Sequence, residues 1–254
     1  MDLGLRGKRV LVTGASGNIG RATAIVFGME GARIAAGYHS NETGAQRTAD
    51  LVAEAGGEPM TVPIDLAGPS SIERAAQQVK ATFGGIDVLV NNAVAWSGFP
   101  DPGELFETAP AQRMRTSLEA NLLGSYLMTR AAAGSMRERG WGRVVHVSTG
   151  LVQDGRAGSA AYVTAKAGLH GLTRTMSREL AAAGILTNLV MAGFVPGERQ
   201  LPPVVLQQAA AAAATGRTTS AAEVANLIAF LCSRANTSIT GELIRADGHF
   251  LTPR

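Results

Sequence analysis

Tyr162 and Lys166 stand four residues apart in a stretch that reads as helical from Ala160 onward, so their side chains share one helix face. A free phenol holds its proton up to about pH 10. A neighbouring cation favours the phenolate and lowers that value. Such a pair is suited to passing a proton to or from an oxygen. Ordinary helix surfaces show the same spacing, so the pair needs company before it implies chemistry. Thr13-Gly14-Ala15-Ser16-Gly17-Asn18-Ile19-Gly20 follows the first β-like run and opens a helical pattern. Glycines there permit a tight turn, and the first N–H groups of the helix face negative charge. A plain loop has a similar composition, but the position directly after a strand favours a phosphate cradle.

The elements that must position these groups follow from hydrophobic periodicity. Apolar runs at Arg9–Val12, 33–36, 60–64, 88–90, 143–147 and 186–190 read as strands, with another near 242–245. Helix-length segments with a 3.6-residue period lie between them, among them 72–83 and 118–136. The alanine run 209–214 is expected to be helical. Several strands are apolar throughout, as when both sheet faces are covered. This alternation predicts the α/β class, with one doubly wound, Rossmann-like parallel sheet and helices on both faces. No repeat or linker divides the chain, so residues 1–254 are expected to form a single domain.

Composition narrows the function. Hydrophobic residues make up 46% and charged residues 17%, which suits a large core. No apolar run reaches the roughly 20 residues of a membrane span, and residues 1–8 lack the pattern of a signal peptide. Cys232 alone excludes an internal disulfide framework, and a cytoplasmic protein is expected. A net charge of +3 without a Lys/Arg cluster argues against nucleic acid as partner. His39, His146, His170 and His249 show no metal-ligand spacing, so no metal site is expected.

Further motifs stand in order along the chain. Asp65-Leu66 ends the third strand, Asn91-Asn92-Ala93-Val94 follows the fourth, Asn121 lies in a helix, and Ile239-Thr240-Gly241 comes near the end. Together with the glycine turn and Tyr162-x-x-x-Lys166, they resemble the short-chain dehydrogenases/reductases over nearly the whole chain. The pattern is most similar to the 3-oxoacyl-carrier-protein-reductase-like subgroup. The resemblance implies an NAD(P)(H)-dependent oxidoreductase that reduces a carbonyl, or oxidises an alcohol, of a small or carrier-bound substrate. Tyr162 would be the general acid/base. Lys166 would lower its pKa and hold the nicotinamide ribose, and Asn121 would support a water-linked proton path. The family's cofactor contacts carry over to Gly14, Ser16, Asn18, Ile19, Gly20, His39, Ser40, Asp65, Leu66, Asn92, Ala93, Tyr162, Lys166, Gly193 and Val195. Residues 194–215 correspond to a substrate lid.

The second strand ends in Gly37-Tyr38-His39-Ser40-Asn41, with no acid before Glu42, so NADP(H) is expected over NAD(H). Relatives pair through two long helices, here 111–139 and 160–183, which implies a homo-oligomer, a tetramer or a dimer. The stripe Leu169, Leu172, Met176 and Leu180 either contributes to that assembly or covers the sheet.

The chain departs from the family at several points. Asn18 and Val94 replace glycines. Ala192 replaces a proline, Gly197 a threonine, and His249 a terminal glycine. Where the family has a serine thirteen residues before the tyrosine, this chain has Thr149, which keeps a hydroxyl donor. Ser148 is its rival, because adjacent strand residues point to opposite faces. These departures leave two other readings open: reduction of a C=N bond, and a non-catalytic dinucleotide-binding protein. Asn121, Tyr162 and Lys166 argue against the latter, which needs no proton relay.

Overall fold

A computed structural model describes residues 2–96, 98, 105–198 and 200–249. Among these, seven strands form one parallel sheet: β1 (Arg9–Val12), β2 (Arg33–Tyr38), β3 (Glu58–Pro63), β4 (Val88–Asn91), β5 (Gly142–Thr149), β6 (Ile185–Ala192) and β7 (Leu243–Ala246). The order across the sheet is β3-β2-β1-β4-β5-β6-β7. The chain builds outward from β1 to β3, then returns to β4 on the other side of β1. That reversal opens a crevice at the carboxyl ends of β1 and β4.

The strands are apolar throughout because each side of the sheet is covered by helices. Alternation sends Val10, Val12, Val88 and Val90 to one face, where Ala24, Phe27, Val224 and Ile228 meet them. These partners come from α1 (Asn18–Met29) and α9 (Ala221–Leu231). Leu11, Leu89 and Val144 go to the other face. There they meet Ile72 and Val79 of α3 (Pro69–Phe83), Met128 and Met136 of α5 (Gly124–Glu138), and Met176 of α7 (Ala160–Leu180). The remaining helices are α2 (Glu42–Glu54), α4 (Ala111–Ser117), α6 (Leu151–Asp154) and α8 (Pro203–Ala212).

Local chemistry sets several helix ends. Pro69 starts α3, and Gly84 ends it at φ 82°, donating its N–H to the Lys80 carbonyl. Ser220 and Glu223 cap each other at the start of α9. A π-helical turn, Leu118–Leu123, joins α4 to α5, so the expected long helix runs from 111 to 138 with a bulge inside it.

One expectation changes, and one of two alternatives holds. The alanine run stays helical only through Ala212. Beyond it, the N–H groups of Ala214 and Thr215 donate to the His249 and Gly248 carbonyls, at 3.4 and 3.3 Å, which draws the chain out of the helix. The α7 stripe lines the sheet: Leu169 is buried with Leu189 and Met191, and Met176 and Leu180 join the core around α3 and α5. No helix among the described residues is long and apolar enough to cross a membrane.

Candidate active site

The carboxyl ends of β1, β4, β5 and β6 open onto a cavity of about 860 Å³. On its floor lies the glycine turn. Gly14 sits at φ 65°, and a Cβ there would lie 2.8 Å from the Ala93 Cα, so only glycine fits. Asn18 stands at φ 47°, the left-handed conformation that asparagine tolerates, and the turn survives its replacement of glycine. Gly20 lies beneath the turn: a Cβ there would be 2.1 Å from the Gly14 carbonyl oxygen. It allows the helix to pack and does not itself line the cavity.

Asn92 holds the turn in place. Its amide donates to the carbonyls of Thr13 and Gly14 at 3.0 and 3.1 Å. The Thr13 hydroxyl accepts from the N–H groups of Asn92 and Ala93, both at 3.0 Å. No side chain caps the start of α1, and its first turn carries no acid. The turn thus presents uncapped N–H groups and a positive dipole end, which fits the pyrophosphate of a dinucleotide.

Around that floor lie the other expected contacts. Ser16, Asn18, Ile19, His39, Ser40, Asp65, Leu66, Ala93, Gly193 and Val195 all line the cavity. The Asp65 carboxylate accepts from its own loop, at the Ala67 N–H, 3.0 Å away. Glu42 begins α2 and is not part of the lining.

The segment after β6 meets this floor through residues the sequence did not pair. Asn18 lies under Gly197, where a Cβ would come within 2.7 Å of the Asn18 amide. Two of the chain's departures from the family pattern therefore accommodate one another. Arg21, buried behind the turn, donates to the Ser16 carbonyl (2.6 Å) and the Thr48 hydroxyl (3.0 Å) and pairs with Glu198 beyond β6. Arg199, within the expected lid, lies outside the described residues.

Tyr162 and Lys166 share the face of α7 that looks onto the end of β5, and both line the cavity. The buried Lys166 ammonium donates to the Val147 carbonyl at 2.8 Å. Burial lowers Lys166 to about 8 and pushes the Tyr162 phenol up to about 12. The expected depression of the tyrosine by its lysine is therefore reversed. The cause is burial, which penalises the charged phenolate by removing it from water.

β5 carries both hydroxyl candidates, and its alternation separates them. Ser148 is buried and turns toward α7, its Oγ 3.0 Å from the Nε2 of His170. The Thr149 Oγ1 accepts from the Leu151 N–H at 3.3 Å, leaving its own proton to donate. Both residues line the cavity.

Asn121 does not line the cavity; it is fully buried in the π turn. Its amide oxygen accepts from the Ala95 N–H (2.9 Å), and its Nδ2 donates to the Ala95 carbonyl (3.0 Å) and the Ser117 hydroxyl (3.1 Å). Its side chain is thus a clamp on the loop after β4. That loop brings Trp96 against Tyr162, with ring centroids 4.8 Å apart and planes at 89°. Trp96, Leu151, Arg156 and Phe194 line the cavity although the sequence did not single them out. A tryptophan directly after the Asn91–Val94 motif was the available signal. Among the described residues, no His/Cys/Asp/Glu cluster is able to hold a metal ion.

Comparison with known proteins agrees with this geometry. The enoyl-(acyl carrier protein) reductase family profile matches residues 14–250. The 3-oxoacyl-[acyl-carrier-protein] reductase FabG of Escherichia coli K12 is 33% identical over 248 residues, covering 97% of this chain and 98% of the relative. FabG of Aquifex aeolicus is 32% identical over 250 residues, covering 98% and 99%. The nodulation protein G of Rhizobium sp. N33 is 32% identical, covering 96% and 97%. Among solved structures, the promiscuous reductase LugOII, which catalyses keto-reduction at C1 during lugdunomycin biosynthesis, superposes with TM-score 0.88 at 31% identity, covering 96% of this chain and 97% of that one. A short-chain type dehydrogenase/reductase from Mycobacterium marinum also gives TM-score 0.88, at 27% identity, covering 99% and 98%. With a profile match over nearly its full length and relatives above 30% identity end to end, the chain belongs to the short-chain dehydrogenase/reductase family and is an oxidoreductase of that family.

Proposed function

We propose that this protein is an NADP(H)-dependent ketoreductase acting on a small or carrier-bound organic substrate, with Tyr162 as its general acid. The observation that carries the reading is the convergence of Tyr162, Lys166 and Thr149 on the cavity whose floor is the glycine turn. The turn, with Ser16, Asn18 and Ile19, holds the pyrophosphate. Asp65 and Leu66 border the adenine, and Lys166 with Gly193 and Val195 borders the nicotinamide ribose. When bound, the nicotinamide supplies the hydride. The rest falls to this chain's own residues. Thr149 donates a hydrogen bond to the substrate oxygen, and Tyr162 delivers the proton to it.

The NADP(H) preference rests on the rim after β2. His39 and Ser40 are exposed there and able to donate to a 2′-phosphate, and no acid lines that rim to accept from a free ribose. Residues 194–215 serve as the lid, tied to the phosphate turn through Glu198 and Gly197. The protein assembles as a homo-oligomer, most simply a tetramer.

Oxidation of NADPH and NADH, followed by nicotinamide absorbance against a panel of ketones and imines, tests the reading. Wild type is expected to oxidise NADPH with ketones. Tyr162→Phe should lose on the order of 10²-fold or more in turnover while keeping dinucleotide affinity. Near-normal turnover in that variant removes Tyr162 from the role, and tighter binding of NADH than NADPH refutes the cofactor preference.

A further inference from the structure

Trp96 is a large aromatic side chain placed against Tyr162, and the mechanism above makes no use of it. Its indole stands at 89° to the phenol ring, with centroids 4.8 Å apart. It lines the same cavity as Tyr162 and Thr149 and remains 42% exposed, so the indole borders the space a substrate would occupy. Its backbone is fixed from below. Asn121 grips both the N–H and the carbonyl of Ala95, and Asn121 is itself fully buried and bonded to Ser117. The indole therefore hangs from an anchored residue. Val94, Ala95 and Leu151 continue the same wall as apolar surface.

We propose that Trp96 is a specificity-determining residue, and that its indole forms a flat wall selecting cyclic or aromatic ketones over straight-chain acyl ketones. This rests on the ketoreductase reading of the site. A rigid ring offers the indole an edge or a face, and an aromatic contact of this kind is worth about 3- to 10-fold in affinity. A ring also enters with few rotors to freeze, whereas a flexible chain loses freedom on lying against the same wall.

The test compares kcat/KM for 2-tetralone and ethyl acetoacetate, with NADPH, in wild type, Trp96→Phe and Trp96→Leu. Trp96→Leu should lower the value for 2-tetralone about 3- to 10-fold and leave that for ethyl acetoacetate nearly unchanged, while Trp96→Phe retains most of the preference. An unchanged ratio across the three proteins overturns the proposal, as does an equal fall for both ketones, which marks Trp96 as structural support for Tyr162.

A binding readout separates this proposal from the reading it rests on. Trp141, the only other tryptophan, lies away from the cavity, with Lys8 and Arg143 stacked on its ring at 3.9 and 4.6 Å. In Trp141→Phe, fluorescence reports Trp96 alone. Saturable quenching by 2-tetralone but not by ethyl acetoacetate, in the presence of NADP⁺, supports the wall even if neither ketone is reduced. In that case only the ketoreductase reading falls. With neither turnover nor quenching, both fall. If Trp96→Leu does not fold, Trp96→Phe and the quenching decide.

Discussion

At the residue scale, the chemistry turns on which of two neighbouring hydroxyls meets the substrate. Ser148 is committed to His170, and Thr149 keeps a proton to give. Thr149→Val preserves shape and deletes the donor, and should cost roughly 3–4 kcal/mol in turnover, the range for one lost oxyanion donor. Ser148→Ala should cost far less, and Thr149→Ser should be tolerated. A silent Thr149→Val beside a crippled Ser148→Ala would assign the role to the other residue. A second prediction concerns stability. His146 of β5 is fully buried, its Nδ1 3.2 Å from the Asn91 amide nitrogen, and burial lowers it to about 3. In the unfolded chain it takes up a proton below about pH 6.5. Between those values the unfolded state holds the extra proton, so acid destabilises the fold by up to about 1.4 kcal/mol per pH unit. Melting temperatures from about pH 7 to pH 4.5 should fall more steeply for wild type than for His146→Gln. Parallel curves would show that other groups govern acid stability. Neither effect was legible in the spacing of residues, because each depends on which way a side chain turns and how deep it lies.

At the scale of elements, α1 and the lid are joined through Arg21. Its guanidinium reaches the Ser16 carbonyl, the Thr48 hydroxyl and Glu198 while its own side chain is almost wholly covered. Glu198, in contrast, has a side chain 63% exposed. The two halves of this ion pair should therefore behave unequally. Arg21→Ala leaves buried acceptors unmet and should cost about 2–4 kcal/mol in urea unfolding. Glu198→Ala removes an exposed, screened partner and should cost under about 1 kcal/mol. Equal losses would mean that the lid contact, and not the acceptors behind the turn, gives Arg21 its weight. The π turn is the other element with a purpose: its extra residue carries Asn121, whose amide meets both polar groups of Ala95. Helical periodicity anticipated a long helix here but not the bulge, since one inserted residue barely disturbs an apolar stripe.

At the scale of the whole molecule, the sheet consumes the stripe that the sequence offered for assembly. Apolar side chains stay exposed on the other long helix, where Leu123 is 46% and Tyr126 42% exposed. Light scattering at micromolar concentration should report two or four times the 26.2 kDa chain, and Leu123→Asp with Tyr126→Asp should reduce that mass. A monomeric wild type would contradict the proposed assembly.

The sequence by itself determined what is local. Strand and helix periods, the glycine turn, the left-handed place of Asn18, and the shared face of Tyr162 and Lys166 follow from backbone geometry over a few residues. That was enough for the fold class and for a set of expected cofactor contacts that, Gly20 apart, all line the cavity. Only the tertiary structure decided the rest. It turned Ser148 toward His170, made Asn121 a clamp, set Trp96 on Tyr162, and moved the phenol up where a lysine was expected to bring it down. Each of these is a contact between residues far apart in the chain, or a consequence of losing water around a charge. Neither depends on spacing; both depend on which surfaces the packed sheet brings together.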